Sequence, residues 1–182
     1  GEPYAPARPG EATERGVAFI HQELNLFTNL TIAENIFLND FPRRRVGPLA
    51  LIDRARLMAR TRELLLLVGL DRAPETPLDH LSPGERQLVE VARALQLDAR
   101  IIIFDEPTTS LTARETERLF ALIRRLRAAG KSMVYIAQIL ADVVGLSYYW
   151  AALRDGELVA TWPAGDFPIA RMITLMVGRP ID

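Results

Sequence analysis

Cysteine is absent from the 182 residues, which excludes a disulfide framework and any thiolate metal site. With two histidines and no cysteine, zinc chemistry is not expected. Lysine is almost absent: of 22 Lys plus Arg, only Lys131 is lysine. Any chemistry that needs a lysine therefore has one candidate. Excess charge is lacking too; the net charge of −1 argues against a general nucleic-acid binder. Long apolar runs are missing. The longest apolar-leaning stretch, Met133 to Leu146, contains Gln138 and Asp142 and falls short of the ~20 residues of a membrane span. Gly1-Glu2-Pro3-Tyr4 shows no basic segment followed by an apolar one. No secretory signal is legible, and a cytosolic location is the default expectation.

What is present is an ordinary globular balance, 49% apolar and 25% charged, over the length of one domain. The first fifteen residues hold Pro3, Pro6, Pro9 and Gly10 and read as a loop or frayed strand. Gly16 to Ile20 reads as a buried strand. Three T/S-x-x-E patterns follow, at Thr31–Glu34, Ser82–Glu85 and Thr112–Glu115. Each predicts a helix start, because the hydroxyl and the carboxylate reciprocally satisfy orphan N–H groups. Arg43-Arg44-Arg45 between Pro42 and Gly47-Pro48 reads as an exposed loop. Asp53 is expected to cap a helix running to about Val68 and ended by Gly69. Pro74 and Pro77 mark another loop. Ile101 to Phe104 is a fully apolar strand of the parallel-sheet type, and Ser132 to Ala137 is the next. Between them a helix places Leu119, Phe120, Leu122, Ile123 and Leu126 on one face and stops at Gly130. This rhythm of helix and strand argues for an α/β fold with a parallel sheet. A hairpin is expected over about Ala151 to Trp162, turning at Asp155-Gly156.

Three segments can carry chemistry. Ile101 to Thr108 (IIIFDEPT) delivers Asp105 and Glu106 to the carboxyl end of a strand, where α/β sheets bind ligands. There Asp105 can hold Mg²⁺ on phosphates and Glu106 can accept a proton from water. Leu81 to Gln87 (LSPGERQ) sets Ser82, Pro83, Gly84 and Glu85 at a helix start, whose free N–H groups suit a phosphate. His21-Gln22-Glu23-Leu24 follows the first strand, and a neutral amide at a strand end can bind a metal's water. Each has a plain structural reading as well: a strand entering a solvated turn, an ordinary capped helix, a polar residue leaving the sheet.

Taken together and in this order, the three segments resemble the ATP-binding subunits of ABC transporters. Phe19 to Leu26, Leu30 to Ile36, Ile103 to Thr112, Leu153 to Val159 and Met176 to Arg179 resemble the branch that imports ribose, galactose, xylose and other monosaccharides. The resemblance implies a P-loop NTPase-like α/β fold with an inserted helical subdomain. Its parts would be a β remnant and Q-loop strand over 1–22, a helical subdomain ending in the signature motif over 23–85, and a core with Walker B, D-loop and switch region over 86–182. Residue by residue it implies that Gln22 senses Mg²⁺ and the attacking water, and that Asp105 (Walker B) holds Mg²⁺. Glu106 would be the general base. Ser82, Pro83, Gly84 and Glu85 belong to the signature loop, which meets the γ-phosphate bound by an opposite domain, and Ser110 falls in the D-loop. The cofactors implied are ATP and Mg²⁺. The partners implied are transmembrane permease subunits, a second nucleotide-binding domain and, indirectly, a periplasmic sugar-binding protein, with no nucleic acid. The implied location is cytoplasmic, peripheral on the inner face of the cell membrane.

Two departures stand beside the resemblance. The Walker A loop, G-x-x-x-x-G-K-[ST], does not occur, and only 21 residues precede Gln22. Gly130-Lys131-Ser132 is not a substitute: Arg125 stands where the first glycine would be, and the triplet follows a helix and precedes a strand. Gly130 reads instead as a helix C-terminal glycine. Where the family carries its switch histidine, Gln138 stands, which hydrogen-bonds but cannot carry the imidazole's charge. The expectation is therefore an incomplete domain, beginning past Walker A, that alone hydrolyses negligible ATP. Two other readings are a non-catalytic permease-docking or assembly module and a fragment without function. With the Walker A strand missing, Ile101 to Phe104 would be expected to carry an open edge and to self-associate.

Overall fold

In the computed structural model, the described residues are 4–22, 25–109, 111–137, 146–164 and 174. The chain divides into two compact units, Gly1–Ile136 and Ala137–Asp182. The first is built on a parallel sheet of β1 (Val17–Ile20), β4 (Ile101–Asp105) and β5 (Ser132–Ile136), in the order β1-β4-β5. β1 and β4 are neighbours in space, paired Val17 to Ile101 through Ile20 to Phe104, although the whole helical region separates them in sequence.

β4 therefore lies between two strands, and the expected open edge on Ile101 to Phe104 is not there. Strand order is a tertiary property: β1 occupies the side that the sequence reading left vacant. The reading of these strands as buried holds for one face only. Ala18, Ile20, Ile102 and Phe104 are buried, and the Phe120 ring of α5 (Ala113–Ala128) meets Tyr135 edge-on at 6.2 Å. On the opposite face Phe19 (41% exposed) and Val134 (48% exposed) remain open to solvent, with Ile101 and Ile136 beside them.

The helical region packs α2 (Ile32–Ile36), α3 (Arg54–Val68) and α4 (Pro83–Gln96) around a small core that includes Ile32, Phe37, Leu65, Leu78 and Val91. The first three N–H groups of α2 all find acceptors. Ile32 donates to the Thr76 carbonyl and Ala33 to that of Pro74, both at 3.0 Å. Glu34 N–H donates to Thr31 Oγ, completing the expected capping box. The loop around Pro74 and Pro77 thus closes the helix end. Fully buried Asn35 fastens a second loop, accepting from Phe27 N–H at 2.8 Å and donating to the Phe27 carbonyl at 3.0 Å. α3 begins on the Asp53 side chain and ends at Gly69, φ 71°, as expected.

Two local expectations are corrected. Pro9–Glu14 forms a short helix, α1, rather than a loop or frayed strand. Proline is well placed at a helix start, and the Glu11 carboxylate, reaching back, accepts from Ala7 N–H at 3.0 Å. Arg43–Val46 is a strand, β2, paired antiparallel with β3 (Leu49–Ile52) around a Gly47-Pro48 tip. It is exposed, as read, but it is a ribbon and not a loop; with both faces in solvent it shows no apolar alternation to betray it.

In the second unit β6 (Tyr149–Arg154) and β7 (Glu157–Pro163) form the expected hairpin. Asp155 (φ 54°) and Gly156 (φ 82°) make the tight left-handed turn.

Candidate functional site

Parallel register brings two of the three segments to one sheet edge. Ile20 pairs with Phe104, and Asp105 with Ile136. The chain leaves β1 through His21 and Gln22 and leaves β4 through Asp105 and Glu106, so Gln22, Asp105 and Glu106 emerge at the same carboxyl edge. Gln22 is exposed; Asp105 and Glu106 are half-buried. Glu106 adopts φ 46°, a left-handed conformation uncommon for a side chain of this size. It is held there by its N–H, which donates to the Ile136 carbonyl at 3.0 Å, and by its own carbonyl, which accepts from Thr109 Oγ at 3.1 Å. The His21 ring lies 4.3 Å from that of Phe19.

The third segment forms the N-terminus of α4. Ser82 Oγ accepts from Glu85 N–H at 3.2 Å, and the Glu85 carboxylate accepts from Ser82 N–H at 2.8 Å. Pro83 sits in the first turn. The other Glu85 oxygen accepts from Arg72 Nε at 2.8 Å. Burial pushes the Glu85 carboxyl up, but the Arg72 hydrogen bond and the Ser82 backbone outweigh it, and the result is a lowered pKa.

The α5 capping box touches this one. Glu115 Oε2 accepts from Thr112 N–H and Oγ, both at 2.9 Å, and Glu115 Oε1 accepts from Ser82 Oγ at 3.2 Å. Gly84 is buried directly against this carboxylate, and a Cβ there would run into it. The Thr112 backbone, then its hydroxyl and that of Ser82, hold the Glu115 carboxyl below the usual range. Since α5 follows β4 after the Glu106 turn, the Ser82 loop is tied to the chain that carries Asp105 and Glu106. Sequence reading missed Glu115 and Arg72 as members of this cluster. Their partners lie 33 and 13 positions away, beyond the reach of any local pattern.

A second missed group steadies the Gln22 side. Buried Glu90, two turns into α4, pairs with Arg93 at 2.9 Å, and Arg93 donates to the Asn25 carbonyl at 2.8 Å. Burial raises the Glu90 pKa, opposed by Arg93, the Asn25 backbone and His21.

Ser110 and Gln138 lie outside the described residues. Lys131 is far from the carboxyl edge in register. It precedes β5 and pairs with Asp98, which precedes β4, at 2.8 Å. In parallel strands that is the opposite edge from Asp105. Gly130, at φ 83°, follows α5, and the next N–H, that of Lys131, donates to the Leu126 carbonyl at 3.1 Å, a helix terminus as read from the sequence. Among the described residues no three His, Asp or Glu side chains group to hold a metal ion.

The sequence pattern of the ABC transporter family matches residues 4–109. The chain belongs to the ABC transporter family. It is 45% identical over 174 residues to the ribose import ATP-binding protein of Chelativorans sp. (strain BNC1), covering 96% of this chain and 33% of that one. It is 44% identical over 182 residues to ribose import ATP-binding protein 2 of Burkholderia pseudomallei (strain 1710b), covering 100% and 35%. The chain thus spans about a third of the length of the curated relatives it matches. Among solved structures it superposes on a dimeric ATP-binding cassette in a post-hydrolysis state bound to ADP and Pi, with TM-score 0.69 and 25% identity over 88% of this chain and 69% of that one. A nucleotide-free ATP-binding cassette gives TM-score 0.71 at 18% identity over 94% and 68%, a likeness of fold. The ABC ATPase fold, α/β with a parallel sheet, is the one expected. Among the described residues no helix of this ABC-family chain is long and apolar enough to cross a membrane.

Proposed function

We propose that this chain is the nucleotide-handling part of a monosaccharide importer, coupling ATP binding and hydrolysis to sugar uptake through a membrane permease. The observation that carries the reading is the shared carboxyl edge of β1 and β4, from which Gln22, Asp105 and Glu106 emerge together. The names of the ribose-import relatives support the sugar class. The donor set fits Mg²⁺ on a nucleotide. Asp105 offers a hard carboxylate oxygen at a strand end, and Mg²⁺ takes one or two carboxylates while phosphate and water fill its remaining positions. Bound there, the ion would neutralise phosphate charge. Glu106 would take a proton from water, Gln22 would orient that water, and Gln138 would hydrogen-bond phosphate without adding charge. Ser82, Pro83, Gly84 and Glu85 would present the α4 N-terminus to phosphate held by a second nucleotide-binding domain, and Ser110 would belong to the D-loop. The domain limits that follow are 1–22, 23–85 and 86–182. The working place of such a chain is the cytoplasmic face of the cell membrane, against permease subunits that receive sugar from a periplasmic binding protein.

No G-x-x-x-x-G-K-[ST] occurs within the 182 residues, so these residues alone are expected to turn over no Mg-ATP. Turnover by this chain that vanishes in Glu106→Gln would overturn that expectation. Mixed with a sugar-importer ATP-binding domain that has a Walker A loop, the chain should raise hydrolysis, and Ser82→Arg should remove the gain. No gain with any such partner would sink the catalytic reading.

A second reading is favoured by Gln138 standing where the family carries histidine: a permease-docking module without catalysis. Retention on a sugar permease in the absence of ATP supports it, and no retention under any condition defeats it.

A further inference from the structure

The β2–β3 ribbon has no role in the nucleotide reading, and its composition is unlike the rest of the chain. Residues 43–62 hold seven arginines and one aspartate, a net charge of +6 within a chain whose total is −1. Arg43, Arg44, Arg45, Arg54, Arg56 and Arg60 are all exposed. Among the described residues no carboxylate lies within ion-pair distance of Arg43, Arg44, Arg45 or Arg56. The same ribbon exposes large aliphatic side chains, with Leu49 62% and Val46 50% open and Leu51 and Ile52 close behind. Register places Arg44, Val46, Leu49 and Leu51 on one face and Arg43, Arg45 and Ile52 on the other.

A two-stranded ribbon is marginal by itself, and this one leaves every aliphatic side chain in water. Exposed apolar groups gathered in a patch mark a contact surface. Here they are interleaved with unpaired guanidinium groups. At the base of the ribbon a cavity of about 420 Å³ is lined by Asp40, Phe41, Pro42, Arg43, Arg56 and Arg60. Arg60 is steadied over the Phe37 ring, 6.0 Å from its centroid. Guanidinium forks match phosphate oxygens bidentately. Phosphate-bearing headgroups with acyl chains just beneath them would satisfy both halves of the patch: arginine on phosphate, aliphatic tips in the interface.

We infer that the Arg43–Ile52 ribbon and the adjoining α3 arginines dock on a membrane surface rich in anionic phospholipid. The inference is independent of the nucleotide reading, because none of these residues lies at the carboxyl edge or at the α4 N-terminus.

The test is co-sedimentation of the full chain with vesicles of phosphatidylcholine alone and of phosphatidylcholine with roughly one-third phosphatidylglycerol. Binding is expected to the anionic vesicles only, and to fall as salt rises from about 0.05 M to about 0.5 M. Replacing Arg43, Arg44 and Arg45 together by Gln should lower partitioning at least about tenfold. Leu49→Ser with Leu51→Ser should weaken it while keeping its salt dependence. Both variants change exposed side chains, and unchanged thermal midpoints would show that they fold. No sedimentation with anionic vesicles, equal sedimentation with neutral ones, or full binding by the triple Arg variant overturns the inference. So does release by inorganic phosphate at matched ionic strength, which would mark a small-anion pocket. Equal retention on polyglutamate would assign the patch to an acidic protein instead.

Discussion

Ser82 Oγ donates a 3.2 Å hydrogen bond to the Glu115 carboxylate and so joins the N-termini of α4 and α5. Each residue also belongs to its own capping box, so the bond couples two helix starts that the sequence separates. Stability should reflect both roles. Ser82→Ala is expected to cost about 1 kcal/mol as a lost N-cap. In a double-mutant cycle with Glu115→Ala, the two changes should fall short of additivity by roughly 0.5–1 kcal/mol. Urea unfolding of the four proteins measures this; strict additivity would mean the contact contributes nothing in solution.

Gly84 gives a test in which the sign should reverse. A Cβ at this position displaces the Glu115 carboxylate from Ser82. The φ of Gly84 is not in the left-handed region, so alanine brings no backbone strain. Gly84→Ala should therefore destabilise by about 1 kcal/mol in the native background, the cost of crowding and of the displaced hydrogen bonds. In a Glu115→Ala background the obstacle is gone and alanine is the better helix residue, so the same change should stabilise by about 0.5 kcal/mol. A loss of equal size in both backgrounds would place the crowding elsewhere.

The carboxylates set an acid limit whose sign can be worked out. Glu34, Glu85 and Glu115 all sit below their ordinary value of 4.5 in the folded chain. A lowered carboxyl stabilises the fold above its unfolded pKa and loses that stabilisation as pH falls through the folded one. Glu90 is raised by burial and works in the opposite sense, since its protonation favours the folded state. The urea midpoint should therefore fall as pH drops below about 4.5, less steeply in Glu115→Gln; above about 4.5 Glu90 instead raises the native midpoint as pH falls toward that value, a rise that Glu90→Gln should lose. A Glu115→Gln profile parallel to the native one would show that this carboxyl is not held down in solution.

Lys131 should be irrelevant to nucleotide. Its ammonium pairs with Asp98 at the amino edge of the sheet. Lys131→Met and Asp98→Asn are each expected to lower the thermal midpoint by the same small amount, with no further loss in the double variant. Neither should alter ATP hydrolysis raised in a partner domain. A specific loss of that stimulation in Lys131→Met would return the lysine to the site.

Much of the local structure was legible because its hydrogen bonds span three or four residues. All three capping boxes form as spaced, at Thr31–Glu34, Ser82–Glu85 and Thr112–Glu115. Gly69 and Gly130 end their helices with positive φ, and Asp155-Gly156 turns its hairpin. The candidate site was legible as three motifs in order. What stayed hidden involves longer reach or weaker pattern. α1 depends on a side chain reaching back from Glu11, and the β2–β3 ribbon buries no face that would impose an alternation.

By itself the sequence determined where helices start and stop and that Lys131 follows a helix rather than forming a phosphate loop, and it nominated the residues of the proposed chemistry. Only the tertiary structure decided that β1 flanks β4, that one sheet face stays open, and that Glu115 closes on Ser82 and Gly84. The division has a physical cause. Caps and turns are satisfied by neighbours along the chain, whereas strand order and contacts between helix ends depend on how whole elements pack, which no local spacing encodes.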